Sequence, residues 1–151
     1  MLTYIIDGNN LIGKIPSLMS LQRKDKQASR QKLVHLVDRY FLEKKTNVTI
    51  HFDGHPGISI NSTKSRIVYS ENKSADDRIK NQISISKSHK TLVVVTSDSN
   101  LAQFAKVCSC TIISSDSFAA EINRQSNNIN EQAIIDSMNN IDEFKKLFGA
   151  D

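Results

Sequence analysis

The sequence predicts an α/β protein with a mostly parallel sheet and helices on both faces, and three features lead there. Leu2 to Ile6 and Leu92 to Val95 are short, unbroken apolar runs rich in branched residues, the pattern of strands covered on both sides. Other stretches repeat apolar residues at helical spacing. The two kinds of segment alternate along the chain, so strand must follow strand through a helical crossover, which makes neighbours parallel.

The elements follow in order. After the first strand, Leu33, Leu36, Val37, Tyr40 and Phe41 mark one buried helix stripe. Asn47 to Phe52 alternates, with Val48, Ile50 and Phe52 facing one way and Thr49 and His51 the other, as in a strand nearer an edge. A polar loop, Gly54 to Ser65, leads to a short strand at Arg66 to Tyr69. Ile79 and Ile83 give a thin helical stripe, opened by Ser74 with Asp77 three places on, a capping-box-like start. Leu92 to Val95 precedes a helix marked by Leu101, Phe104, Ala105 and Cys108, then a strand at Thr111 to Ile113. Gln125 to Asn130 reads as a short hinge before one or two C-terminal helices, from about residue 131, marked by Ile134, Met138, Ile141, Phe144 and Phe148. No repeat or long linker interrupts the 151 residues, which fit one domain.

Composition narrows the function classes. No secretory signal pattern and no run of roughly 20 apolar residues is present, so a soluble protein of the cytoplasm or an equivalent reducing compartment is expected, with no membrane partner. Cys108 and Cys110 form a C-x-C without a second pair and read as reduced packing residues. Residues 11 to 90 hold 16 Lys or Arg against 7 Asp or Glu, whereas residues 91 to 151 hold 4 against 8. That asymmetry gives one part of the chain a basic face suited to a polyanion. It centres on Arg23, Lys24, Lys26, Arg30 and Lys32, opposed only by Asp25.

Four strand candidates end on an aspartate: Asp7, Asp53, Asp98 and Asp116. Ligands of open parallel sheets bind beyond the carboxyl ends of the strands, where all four lie. One such aspartate is a common turn or cap residue; four crowded together repel unless a cation offsets them. Asp77 has a structural role at its helix start, but Asp76 shares the stripe of Ile79 and Ile83 that faces the sheet and needs a partner. Hard oxygen donors without thiolates or paired histidines suit Mg²⁺ or Mn²⁺, which can make a water nucleophilic for phosphodiester hydrolysis. Gly8 allows a sharp turn after Asp7, and the Asn9 and Asn10 amides can orient a carboxylate. His51, His55 and His89 form no triad with a serine, and His35 reads as solvated.

The segments IDGNNLIGKIPSL, HFDGH, IVYSENKSADDRI, VVVTSDSNLAQFA and TIISSDSFAAEI resemble, in order and spacing, the NYN branch of PIN-like nucleases, most closely the YacP-like ribonucleases. The resemblance implies a three-layer α/β/α sandwich of the PIN-like, Rossmannoid kind and a metal-dependent endoribonuclease acting on RNA, free or on a ribosome. It further implies an acidic Mg²⁺ or Mn²⁺ site built from Asp7, Asp76 and Asp98 with Asn10 assisting. Asp53, Asp77, Asp116 and Glu121 are secondary candidates. Lys14, Arg23, Lys24, Lys26 and Arg30, with Lys64, Arg66, Lys73 and Arg78 near the edge, are the candidates for holding RNA. Asn9 stands where YacP-like proteins usually carry an aromatic residue, and Asn100 where the related pattern often has an acidic one. These departures keep open a non-catalytic RNA- or ribosome-binding module on the same fold. A haloacid-dehalogenase-type phosphatase needs a second aspartate where Asn9 stands, and neither glycine pattern of the dinucleotide or P-loop folds is present.

Overall fold

The structure is a computed structural model that describes residues 1–125. The C-terminal helices expected from about residue 131 and the hinge beyond Gln125 lie outside the described residues, and Gln125 itself is helical. The chain runs β1 (Leu2–Asp7), α1 (Gly8–Ile12), α2 (Pro16–Lys24), α3 (Lys26–Phe41), β2 (Thr46–Phe52), β3 (Ser65–Tyr69) and α4 (Ala75–Ile85). A 3₁₀ turn at His89–Thr91 leads into β4 (Leu92–Val95), α5 (Ser99–Val107), β5 (Thr111–Ile113) and a helical stretch over 115–125.

The five strands among the described residues are all parallel and stand in the order β3-β2-β1-β4-β5. The chain therefore lays strands outward from β1 in both directions, and the order reverses between β1 and β4. In doubly wound sheets that switch point leaves a crevice beyond the strand ends.

Two cores explain the unbroken apolar strands. Ile6 and Val95 face one core with Ile50, Phe52, Leu33, Val37, Phe41 and Phe118. Ile5 and Val94 face the other, with Ile79, Ile83, Leu101 and Ala105. Successive residues of one strand point to opposite faces, so a strand sandwiched between helix layers must be apolar at every position. Cys110 packs in the second core and Cys108 lies against it, both free.

β2 departs from its alternating pattern. Its polar residues are not turned to water: Thr49 and His51 are buried beneath α4, where Gln82 Nε2 donates to Thr49 Oγ1 at 3.2 Å and Gln82 Oε1 meets His51 Nε2 at 2.7 Å. Burial pushes the His51 pKa down, which keeps the imidazole neutral. The outer strand on this side is β3. Its start is tied to α3 by Asp38, a buried carboxylate that accepts from the hydroxyls of Ser62 (2.8 Å) and Ser65 (2.6 Å) and from the backbone N–H of Thr63 (2.9 Å) and Ser65 (3.1 Å).

Helix starts are fixed locally. Asp25, Ser74 and Asp98 accept from the backbone N–H three residues on and cap α3, α4 and α5. Among the described residues, no helix is long and apolar enough to cross a membrane.

Candidate active site

β1 delivers Asp7 to the switch point. Its Oδ2 accepts from the hydroxyl of Thr96, just past β4, at 3.2 Å. The same hydroxyl accepts from the Asp98 N–H at 3.1 Å, so one buried threonine joins the two strand ends. Desolvation lifts the Asp7 pKa from the ordinary 3.8 to about 6, against the lowering effect of Thr96 and the Asn10 backbone; the charges of Asp53 and Asp98 add to the rise. Asp53 and Asp98 therefore both bear on Asp7.

Asp98 is exposed, and its Oδ1 accepts from the Leu101 N–H at 2.9 Å as the cap of α5, which leaves Oδ2 for other partners. Asp53 Oδ1 accepts from the Ala75 N–H at 2.7 Å and so seats the start of α4 beside β2. The Asp53 N–H in turn donates to Asn9 Oδ1 at 2.8 Å. Asn9 thus serves as a strut between α1 and the end of β2, a job for an amide rather than an aromatic ring. Asn10 braces the other side, where its Oδ1 accepts from the Ser97 N–H (2.9 Å) and the Ser115 hydroxyl (2.6 Å).

Asp76 turns one oxygen to the buried side, as the helical stripe predicts, and the other to Lys80. It lies half-buried in the seam between α4 and α5, with Oδ2 3.0 Å from Lys80 Nζ, and the Lys80 ammonium sits 5.6 Å from the ring centre of Phe104 on α5. Asp76 Oδ1 is buried and has no hydrogen-bond partner among the described residues. The hydrogen bond to Asp76 holds the Lys80 pKa above the ordinary lysine value, with the charges of Asp77 and Asp98 contributing. Lys80 thereby links Asp76 to the Asp98 side of the site. Its spacing from Asp76, i to i+4, is legible in the sequence but carries no sign of the site by itself.

The remaining candidates divide. Asp116 is exposed, 3.7 Å from Lys14 and 3.5 Å from the Ser97 hydroxyl, at the rim beyond β5. Asp77 is exposed, and its N–H takes the Ser74 cap. Glu121 pairs with Arg124 at 2.8 Å and bears on Tyr40 of α3, away from the Asp7 group.

Two expected placements of RNA-contact candidates need correction. Arg30 is 3% exposed: its guanidinium lies over Phe52 and Tyr69 and donates to Gln27 Oε1 and to the carbonyls of Asp53 and His55. The sequence places it three residues before Leu33, on the buried stripe, so its charge secures the Asp53 loop from beneath. Lys64 and Arg66 stand at the start of β3, the opposite end from the acidic edge. Arg23, Lys24, Lys26 and Lys73 are exposed, and Arg78 donates to the Ser70 carbonyl at 3.4 Å.

Gly8 has a different purpose from the one its turn suggests. It opens α1 directly, and a Cβ there would stand 2.6 Å from Phe52 Cε1 and 2.8 Å from the His51 carbonyl oxygen. That carbonyl belongs to a strand in register with β1 and cannot retreat. Gly8→Ala is expected to cost about 1–3 kcal/mol through overpacking, measured as a lower urea midpoint with an unchanged slope.

The donor set at the strand ends is made of carboxylates. Its oxygens are hard, and one of them is buried without a partner. Among the described residues no three His, Cys, Asp or Glu side chains stand close enough to grip one ion directly. This arrangement fits Mg²⁺ that keeps several waters and takes one or two carboxylates, rather than an all-protein cage.

The described residues define a doubly wound α/β fold with carboxylates at the switch point of its parallel sheet. The chain belongs to the YacP-like NYN domain family, which matches residues 4–147. The crystal structure of Rae1 (YacP) from Bacillus subtilis is similar at 21% identity and a TM-score of 0.69, over 99% of this chain and 93% of that one. A mutant form of the same protein aligns at 20% identity and a TM-score of 0.73, over 89% and 82%. At these identities the likeness is one of fold. Among curated proteins, none matches the chain in sequence.

Proposed function

We propose that the chain is a Mg²⁺- or Mn²⁺-dependent endoribonuclease of the cytoplasm or an equivalent reducing compartment, acting on RNA that is free or carried by a ribosome. One observation carries the reading: in a family of ribonuclease-like domains, Asp7 is desolvated at the strand ends with Asp53 and Asp98 bearing on it, while a buried Asp76 oxygen lacks a partner among the described residues. Asp7, Asp76 and Asp98 would hold the ion between them, one or two directly and the rest through waters that it keeps. Bound there, it would supply an activated water and offset charge at the phosphodiester.

The chain's own groups do the rest. Thr96 orients the carboxylate of Asp7, and Asn10 and Ser97 lock the loops after β4 and β5. Arg23, Lys24, Lys26, Lys73 and Arg78 supply exposed or half-buried positive charge to grip the RNA backbone. Asn100 adds only an amide, and Lys80 already sets one cation against Asp76. A single metal therefore suffices for the charge present.

With Mn²⁺, the protein is expected to cut single-stranded or structured RNA, and Asp76→Asn is expected to lower the cleavage rate more than about 100-fold, the loss of several kcal/mol of charge stabilisation. A protein that only binds RNA would leave every substrate uncut, and Asp76→Asn would then bind as well as the parent or better.

A further inference from the structure

We propose that the groove between α4 and the edge strand β3 binds the phosphates of an RNA strand that continues away from the acidic edge. The inference rests on the ribonuclease reading and adds to it a second anion site on the far half of the sheet.

The groove is a cavity of about 360 Å³ lined by Thr3, Asn47, Thr49, Lys64, Arg66 and Gln82. Two cations line it and, among the described residues, no carboxylate does. Arg66 is exposed, and among the described residues its guanidinium has neither an ion pair nor a hydrogen bond. Lys64 rests one N–H on the Lys44 carbonyl at 2.8 Å, with two more free to donate. Unpaired arginine beside lysine in a polar channel is suited to phosphate, which arginine can hold through two parallel N–H donors.

The groove also leads somewhere. α4 starts beside Asp53 and Asp76 at the acidic edge and runs back along the sheet. Arg78 stands one turn into it and Gln82 about 6 Å further on, on the side that faces β2 and β3. The positive charges of Arg66 and Arg78 both reach His51, which lies beneath the same wall. From Tyr69 at the acidic end to Ser65 at the other, β3 spans roughly 13 Å, a separation too long for a lone phosphate and within reach of a polymer. Asn47 and Thr3 add an amide and a hydroxyl for sugar or phosphate oxygens.

The test measures binding rather than cutting. Fluorescence anisotropy with a short and a long single-stranded RNA oligonucleotide, across a KCl series, is read on an Asp7→Asn protein and on the same protein carrying Lys64→Ala and Arg66→Ala. Loss of two phosphate contacts is expected to weaken the long oligonucleotide about 10-fold at low salt and to reduce its salt slope by about 1.4, with the short one unchanged. Asn47→Glu, which puts a carboxylate into the groove and leaves both cations in place, is expected to act in the same direction. Equal affinity and slope for all three proteins on the long oligonucleotide would overturn the groove and leave the nuclease reading standing. If the Asp7→Asn parent bound neither oligonucleotide at any salt, both would fall.

Discussion

Asp7→Asn is expected to make the protein more stable at neutral pH while removing its capacity to cut RNA. The folded state holds the Asp7 pKa at about 6, whereas the unfolded chain ionises near 3.8. The sign follows from which state keeps the proton. Below about pH 3.8 the carboxyl is neutral in both states and costs nothing. As pH rises towards 6 the unfolded chain ionises first, so stability falls, and the full penalty persists above that. The gap is worth up to about 3 kcal/mol; an amide keeps the Thr96 hydrogen bond without the charge, so a gain of about 1–3 kcal/mol is expected.

Urea unfolding without divalent ions checks this. The variant's advantage should be present at pH 7.5 and vanish near pH 4. Adding Mn²⁺ should then reverse the order, because an ion that binds only the folded parent stabilises it by mass action and the variant has lost a central ligand. RNA cleavage by Asp7→Asn should fall more than about 100-fold. A variant less stable than the parent at pH 7.5, or one that still gains stability from Mn²⁺, would show that Asp7 is a packing residue and not the centre of the site. The expected trade of stability for function arises because Asp7 is desolvated while other carboxylates bear on it.

The sheet and its acidic edge were legible because both are local patterns. Unbroken branched runs mark Ile5, Ile6 and the stretch from Leu92 to Val95 as doubly covered, and each strand-ending aspartate is read directly from the chain. What the sequence hid depends on distant partners. Periodicity could have shown Arg30 to be buried, but the carbonyls of Asp53 and His55 that hold it are more than 20 positions away. Asn9 departs from the aromatic family pattern, and its use is apparent only once Asp53 stands beside it. Lys64 and Arg66 look like neighbours of the acidic edge until the direction of β3 puts them at its other end.

Asp38 shows the same limit with the largest consequence for stability. It falls on the α3 stripe between Val34 and Phe41, where a carboxylate is costly unless it is saturated with donors. Its donors, Ser62, Thr63 and Ser65, come from the polar loop before β3 and meet it only in the folded chain. Asp38→Ala takes an acceptor from two backbone N–H groups and three hydroxyls together, and is expected to cost about 2–4 kcal/mol. Asp38→Asn keeps the shape and one acceptor and should cost less. The loss should be local before it is global: amide exchange protection should drop first along β3, the strand whose start Asp38 fixes. Mn²⁺ affinity should hold, since Asp7, Asp76 and Asp98 sit on other elements, whereas long-RNA binding should weaken as the β3 wall of the groove loosens. Uniform loss of protection across all five strands would instead make Asp38 a plain core residue, with no special hold on the edge.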